Sequence, residues 1–331
     1  MNRNIDITSI PLNTSPASYI ASEALIQAVE IAIALNKPLV VSGEPGTGKT
    51  QLAFWVAHQL AQQTTNDLYP FLPTPLVFNT KSGSTASDLF YYYDAVGHFR
   101  CKTNQRTEDF IEVRGMGLAI ALAHGKKSGA VSRLWELNQF TDAANENGTM
   151  VDDDPRSSVV LIDEIDKAPR DFPNDLLNEM ENFSFDIREL GLQVPRPPQK
   201  ARMIVIMTSN SEKNLPNAFL RRCAFYHIPF PDKPTLLEIT KSRMKVPDTR
   251  EVPDESYSRA IDQFITYRQQ AISKKPATSE FLDWIHVLQK FGLLNNGELG
   301  NYSQEKDRTL YDASLSALFK SKEDMVRFAD Q

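Results

Sequence analysis

Leu39-Val40-Val41-Ser42-Gly43-Glu44-Pro45-Gly46-Thr47-Gly48-Lys49-Thr50 is the stretch on which the fold turns. It joins an apolar run of strand type to the pattern G-x-x-x-x-G-K-[ST], a phosphate-binding loop. The glycines let backbone N–H groups turn toward an anion. A helix starting at about Gly48 offers the same anion its positive N-terminal end. Lys49 is placed to reach the β- and γ-phosphates of a nucleoside triphosphate, and the Thr50 hydroxyl to ligate Mg²⁺. Leu52, Ala53, Trp55, Val56 and Leu60 follow at helical spacing, which completes the strand–loop–helix context. Gly43, Glu44, Pro45, Gly46, Thr47, Gly48, Lys49 and Thr50 are therefore the candidate nucleotide-binding residues.

The 331 residues suffice for one large domain or two ordinary ones. A formal net charge of −6 provides no global positive field, which argues against nucleic acid or an acidic membrane surface as partner. No apolar run approaches the length of a bilayer span. Met1 to Pro16 is polar and lacks the apolar core of a signal peptide, so the cytoplasm is the expected location. Cys101 and Cys223 are far apart and are expected as free thiols. The five histidines show no metal-ligand spacing, so no structural zinc is expected.

Along the chain, residues 1–17 read as a loosely held arm and Ser22 to Leu35 as an amphipathic helix. After the phosphate loop and its helix to about Gln62 comes a short strand, Leu76–Asn79. Thr85 to Tyr93, Gly117 to Ala123 and Ser132 to Leu137 read as helices. Thr141 to Ser158 is polar, and its run Asp152-Asp153-Asp154 reads as a solvated loop rather than a metal site. Val159–Ile162 and Met203–Met207 have the composition of buried strands in a parallel sheet. Phe172 to Phe183 reads as a helix between them, and Phe185 to Ala201 as a hairpin or loop, since its prolines exclude a central strand. Beyond a boundary near Phe230–Asp232 the pattern is helical: Thr235–Met244, Tyr257–Ile272, Ser279–Phe291 and Tyr311–Ala329.

The second chemical signal is Asp163-Glu164 at the end of the Val159–Ile162 strand. Asp163 there would hold Mg²⁺ beside the phosphates, and Glu164 would act as general base on the attacking water. The Met203–Met207 strand ends in Thr208-Ser209-Asn210. Asn210 at that tip can orient the lytic water or touch the γ-phosphate. Arg221 and Arg222 follow, and an arginine can stabilise charge on the γ-phosphate in the transition state. The absence of an Asn-Lys-x-Asp motif favours ATP over GTP.

Phosphate loop, Asp-Glu strand, Asn-tipped strand, arginine pair and helical tail occur in an order that resembles the AAA+ ATPases. More narrowly, the chain is similar to the MoxR-type branch in Ala28–Ala32 leading to the loop, Leu161–Pro169, Asp175-Leu176-Leu177 and Leu215–Cys223. The resemblance covers about residues 18–290. It implies an α/β fold: a P-loop NTPase core over 18–231, with a five-stranded parallel sheet in an αβα sandwich, then a small all-helical lid over 232–331. It implies ATP and Mg²⁺ as cofactors, a homo-oligomer of hexameric-ring type, and a protein partner such as a von Willebrand factor A-domain protein. On the same resemblance Asn210 is the sensor 1 residue, Arg222 with Arg221 the arginine-finger candidates, and Tyr19 and Ile20 lie where the adenine is contacted. The sensor 2 arginine that the family often carries at the third lid helix is absent from Lys274-Lys275-Pro276-Ala277-Thr278-Ser279-Glu280, leaving Lys274 or Lys275 as a substitute cation. The function implied is an ATPase that remodels or matures a partner protein in a chaperone-like way. The alternatives are a nucleotide-gated oligomeric switch recruiting an effector in signalling or defence, and a nucleic-acid motor, against which the net acidity argues.

Overall fold

The computed structural model describes residues 13–101, 106–137, 154–198, 201–212, 214–245, 252–295, 299, 302 and 304–329. Contacts divide the chain into two compact units, one of Ala21–Gly43 with Gly48–Ile228, the other of Met1–Ile20, Glu44–Thr47 and Pro229–Gln331.

The first unit is built on strands β1 (Leu39–Gly43), β2 (Leu76–Asn79), β3 (Tyr91–Tyr93), β4 (Ile111–Val113), β5 (Ser158–Asp163), β6 (Phe185–Ile187), β7 (Leu192–Val194), β8 (Met203–Ser209) and β9 (Ala224–Ile228). Five of these form one parallel sheet in the order β2-β5-β8-β1-β9. Val40, Val41, Val159 to Ile162, Ile206 and Met207 are fully buried, as befits inner strands of a sheet covered by helices. The helix Lys49–Gln63 packs on β5, Glu23–Leu35 on β9 and β1, and Gly115–His124 on β2 and β5. Strands and helices share one apolar core that includes Val40, Phe78, Met116, Ile120, Ile162 and Met207. The expected five-stranded parallel sheet with flanking helices is thus present.

Three local features differ from the expectations or add to them. Thr85 to Tyr93 is not a helix: a single 3-10 turn, Ala86–Leu89, is capped by Thr85 N–H donating to Asp88 Oδ2 at 2.8 Å, and β3 follows. Consecutive tyrosines favour extended backbone, and Phe90 and Tyr91 stack on Phe185 at 5.3 and 6.5 Å. Next, β4 is a strand that no sequence expectation covered, and it pairs antiparallel with β3; Phe185 to Ala201 begins, as expected, with the β6–β7 hairpin, Phe185 opposite Val194. Finally, Ala224–Ile228 is the outer strand of the sheet, Leu39 standing opposite Ala224. The acid run lies outside the described residues as far as Asp153.

The second unit holds the helices Lys233–Met244, Asp254–Gln270, Thr278–Lys290, Glu305–Leu318 and Lys322–Ala329. Phe264, Phe281, Trp284, Ile285, Leu288 and Leu315 form its buried centre. Two buried polar pairs lie there: Trp284 Nε1–H donates to Ser314 Oγ at 3.0 Å, and the Tyr267 and Tyr311 hydroxyls lie 3.0 Å apart. The expected helix from Tyr311 to Ala329 breaks after Leu318, because Ser321 starts a new one by accepting the Asp324 N–H at 3.2 Å. Asp324 in turn accepts the N–H groups of Ile272 at 2.9 Å and Ser273 at 3.2 Å. Residues 1–12 of the expected arm lie outside the described residues. Asn13 is tied within this unit, its Nδ2 donating to Ser242 O at 3.1 Å and its own carbonyl accepting from Arg243 Nη1 at 2.9 Å.

Candidate functional site

The C-terminal ends of β1, β5 and β8 bring the chemical groups of the first unit together. Gly48 caps the helix that follows β1 with φ of 87°, a left-handed conformation that glycine adopts without strain. Lys49 is the first residue of that helix and only 6 % exposed. Its Nζ donates to Gly43 O at 2.9 Å, which folds the side chain back over the end of β1. Leu52, Ala53 and Val56, buried beneath, fix the helix so that Thr50 faces β5. Thr50 Oγ1 donates to Asp163 Oδ1 at 3.0 Å and lies 3.2 Å from Oδ2.

Asp163 ends β5, and the chain then bends at Glu164, with φ of 56° and ψ of 50°. Thr208 of β8 secures that bend from both sides. Its buried hydroxyl accepts the Glu164 N–H at 2.8 Å and donates to Asp163 Oδ1. The Glu164 carboxylate is held by two groups: Asn210 Nδ2 donates to Oε1 at 3.2 Å, and Lys167 Nζ pairs with Oε2. That hydrogen bond holds the Lys167 ammonium above the usual lysine range. Asp166, 2 % exposed, turns the other way and accepts the backbone N–H groups of Asn210 at 3.1 Å and Glu212 at 2.9 Å.

Thr50, Asp163, Glu164 and Asn210 are therefore linked by hydrogen bonds through Thr208 at one end of the sheet, with Lys49 next to Thr50 at the start of its helix. A hydroxyl and a carboxylate side by side are hard oxygen donors, which fit a Mg²⁺ ion. Among the described residues no group of three or more His, Cys, Asp or Glu is arranged to hold a metal. Such an ion would draw its remaining ligands from phosphate oxygens and water.

Arg221 and Arg222 lie elsewhere. They precede β9, whose first residue stands opposite Leu39, so they sit at the N-terminal end of the sheet. The four residue steps of β1 alone span about 13 Å. The two arginines are exposed and line a cavity of about 400 Å³ with Lys37, Arg196 and Arg202. Beside them burial pushes the Cys223 thiol up to about 12, against the opposing charge of Lys37, which leaves it protonated and inert at neutral pH. Cys101 and Cys223 are both free, as expected.

Within the second unit, Tyr19 donates its backbone N–H to Pro16 O at 3.2 Å, and Ile20 follows it. Lys274 pairs with Glu280 at 3.4 Å. Arg268 is the cation that sequence reasoning missed. Its side chain is 12 % exposed and its guanidinium lies 3.8 Å from the Phe230 ring centroid. It donates to Pro276 O and to Glu44 Oε2, each at 2.6 Å. No local pattern marks it, since Glu44 is 224 residues away. Thr208 and Asp166 were also missed, although the tripeptide Thr208-Ser209-Asn210 and the phrase Asp163–Asp166 carry both.

No curated protein matches the chain. Two solved structures of Thermotoga maritima RuvB point variants align with it, each at 14 % identity. One covers 91 % of this chain and 70 % of its own length at a TM-score of 0.41. The other covers 92 % and 73 % at 0.44. The profile of the AAA family, "ATPase family associated with various cellular activities", matches residues 39–231, from the first residue of β1 to just beyond β9. That span holds Lys49 and Thr50, the Asp163-Glu164 bend and the Asn210 tip on one parallel sheet, and the chain belongs to the AAA family of ATPases.

Proposed function

We propose that the chain is a Mg²⁺-dependent ATPase of MoxR type that couples hydrolysis to remodelling of a partner protein. The observation that carries this is the convergence of Lys49, Thr50, Asp163, Glu164 and Asn210 at one end of the sheet. Phosphoryl transfer needs positioning and charge neutralisation more than covalent help. Lys49 supplies a positive charge for the β- and γ-phosphates of ATP, and the loop N–H groups supply donors. Thr50 and Asp163 would hold Mg²⁺, which when bound neutralises charge on the phosphate oxygens. Glu164 accepts a proton from the attacking water at its carboxylate, and Asn210 keeps that carboxylate oriented.

The place of Arg221 and Arg222 supports a ring assembly. At the opposite end of the sheet they cannot serve the site of their own chain, whereas in a second copy of the chain they can meet its γ-phosphate. A hexameric ring and a von Willebrand factor A-domain partner follow the MoxR resemblance. A second reading, a nucleotide-gated switch with little turnover, is favoured by one observation: both oxygens of Glu164 are engaged, one by Asn210 and one by Lys167.

The test is a pair of variants. Lys49→Ala is expected to abolish binding of a fluorescent ATP analogue. Glu164→Gln is expected to bind it normally and to release phosphate at least about a hundred times more slowly. Undiminished turnover in Glu164→Gln would remove the base from the mechanism. Normal binding with negligible wild-type turnover, with or without a partner, would select the switch.

A further inference from the structure

We propose that Asp166 is a positioning residue that sets Asn210, and through it Glu164, for the hydrolytic step; this rests on the ATPase reading above. The 3-10 turn Ile165–Lys167 sends two neighbouring side chains in opposite directions. Lys167 reaches back to Glu164, while Asp166 enters the protein and meets the turn that follows β8. There one oxygen, Oδ2, accepts the N–H groups of both Asn210 and Glu212, at 3.1 and 2.9 Å. Ser211 between them has φ of 60°, a conformation that a residue with a Cβ holds only where its surroundings impose it. Ser211 N–H also donates to Ser209 Oγ at 3.0 Å, so all three consecutive N–H groups of the turn are fixed.

A carboxylate buried to this degree is costly unless its charge is met by donors. Here two backbone N–H groups meet one of its oxygens, Oδ2, while Oδ1 has no hydrogen-bond partner among the described residues, and both donors belong to the turn that carries Asn210. The Asn210 side chain leaves that turn and donates to Glu164 Oε1 at 3.2 Å. The geometry is a closed circuit in which Glu164, Asp166 and Asn210 share one loop on each side. Removing the acceptor frees the N–H groups of Asn210 and Glu212, on either side of the strained Ser211. A displacement of about 1 Å at a catalytic group can cost a hundredfold in rate. Asp166 touches neither nucleotide nor water in this scheme, so its effect belongs in kcat and not in nucleotide affinity.

The test uses the full chain and measures kcat, KM and fluorescent-nucleotide Kd for wild type, Asp166→Ala, Asp166→Asn, Asn210→Ala and the double variant Asp166→Ala/Asn210→Ala. Asp166→Ala is expected to lower kcat about ten- to a hundredfold, with KM and Kd within about twofold. Asp166→Asn keeps an acceptor oxygen and is expected to recover most of that loss. In the Asn210→Ala background, Asp166→Ala is expected to cost less than about twofold more, as acting through a shared partner requires. Amide exchange of residues 208–212 is expected to quicken in Asp166→Ala whatever the turnover. An unchanged kcat, or losses that multiply in the double variant, overturns the proposal. Should Asp166→Ala not fold, Asp166→Glu carries the test. It keeps the charge but moves the oxygens by one carbon, and is expected to lower kcat at least about fivefold; unchanged turnover in it overturns the proposal. Absence of turnover in the wild type refutes the ATPase reading, and unchanged exchange at 208–212 in the variants then overturns this one separately.

Discussion

Replacing Thr208 by valine removes one hydroxyl and keeps the side-chain shape. That hydroxyl is 1 % exposed with its residue, accepts the Glu164 N–H at 2.8 Å and donates to Asp163 Oδ1. Its loss leaves the Glu164 N–H without its acceptor, which costs roughly 1–3 kcal/mol. A donor to a carboxylate is lost as well, worth roughly 1.5 kcal/mol at the low end, since Thr50 continues to donate to Asp163. Glu164 also holds φ of 56°, and the bond that pins its N–H is one of the contacts that impose it. Together these give about 2.5–4.5 kcal/mol of lost stability in the unit that carries the sheet. Urea unfolding without nucleotide, followed by far-ultraviolet circular dichroism, should show the midpoint falling by about 1 M at a slope typical of a unit this size. Thr208→Ser, which restores the hydroxyl, should recover most of the difference. A valine variant within about 0.5 kcal/mol of wild type, or a serine variant as damaged as the valine, would refute the bridging role of Thr208.

Arg268→Ala removes a cation from the Phe230 ring and a donor from Pro276 O, and should destabilise the helical unit by about 2–4 kcal/mol in thermal unfolding. Exchange at the Glu44–Thr47 amides should rise with it, and Arg268→Lys should rescue poorly because a point charge cannot donate to Glu44 and Pro276 in one plane. Acid should weaken the same unit. Burial pushes the Asp324 carboxyl up, but the N–H groups of Ile272, Ser273 and Lys274 and the Ser321 hydroxyl outweigh it and hold it below 3.8. Glu280 likewise sits below 4.5, its partial burial outweighed chiefly by the Ser279 hydroxyl, its own backbone N–H and Lys274. Groups depressed on folding contribute stability that is complete above their unfolded values and disappears as pH falls through the folded ones. The urea midpoint of the helical unit should therefore be level near neutrality and fall below about pH 4.5, less so in Asp324→Asn.

The parts of the site written in contiguous residues were legible from the chain alone. The loop Gly43–Thr50 announces itself by composition and spacing, and behind it the Asp163-Glu164 pair and the strand that ends just before Asn210 become legible. Long elements were legible for the same reason: Lys49–Gln63 and Asp254–Gln270 repeat their apolar positions over several turns. Elements of three residues carry no period, and so Tyr91–Tyr93 was hidden within a stretch that also fits a helix, and its partner Ile111–Val113 drew no assignment. Ala224–Ile228 lies at the sheet edge, where Phe225 stays exposed and the continuous apolar signature of an inner strand is lost. Thr208, Asp166 and Arg268 were illegible for a different reason. Their importance lies in partners 44 to 224 residues away, which no local pattern encodes.

The order of the strands also constrains how the molecule comes into being. In space β8 lies between β5 and β1, but in sequence it follows both. Thr50 and Asp163 are 113 residues apart, and until Met203–Ser209 has inserted between their strands they have no common frame. A nascent or refolding chain thus possesses its phosphate loop long before it possesses a site. Pairings of such separation are slow to form, because the intervening chain must be closed before any contact repays it. On the proposed ATPase reading, nucleotide cannot template the early steps; it can only trap the finished sheet by mass action, so added ATP should slow unfolding while leaving the refolding rate unchanged.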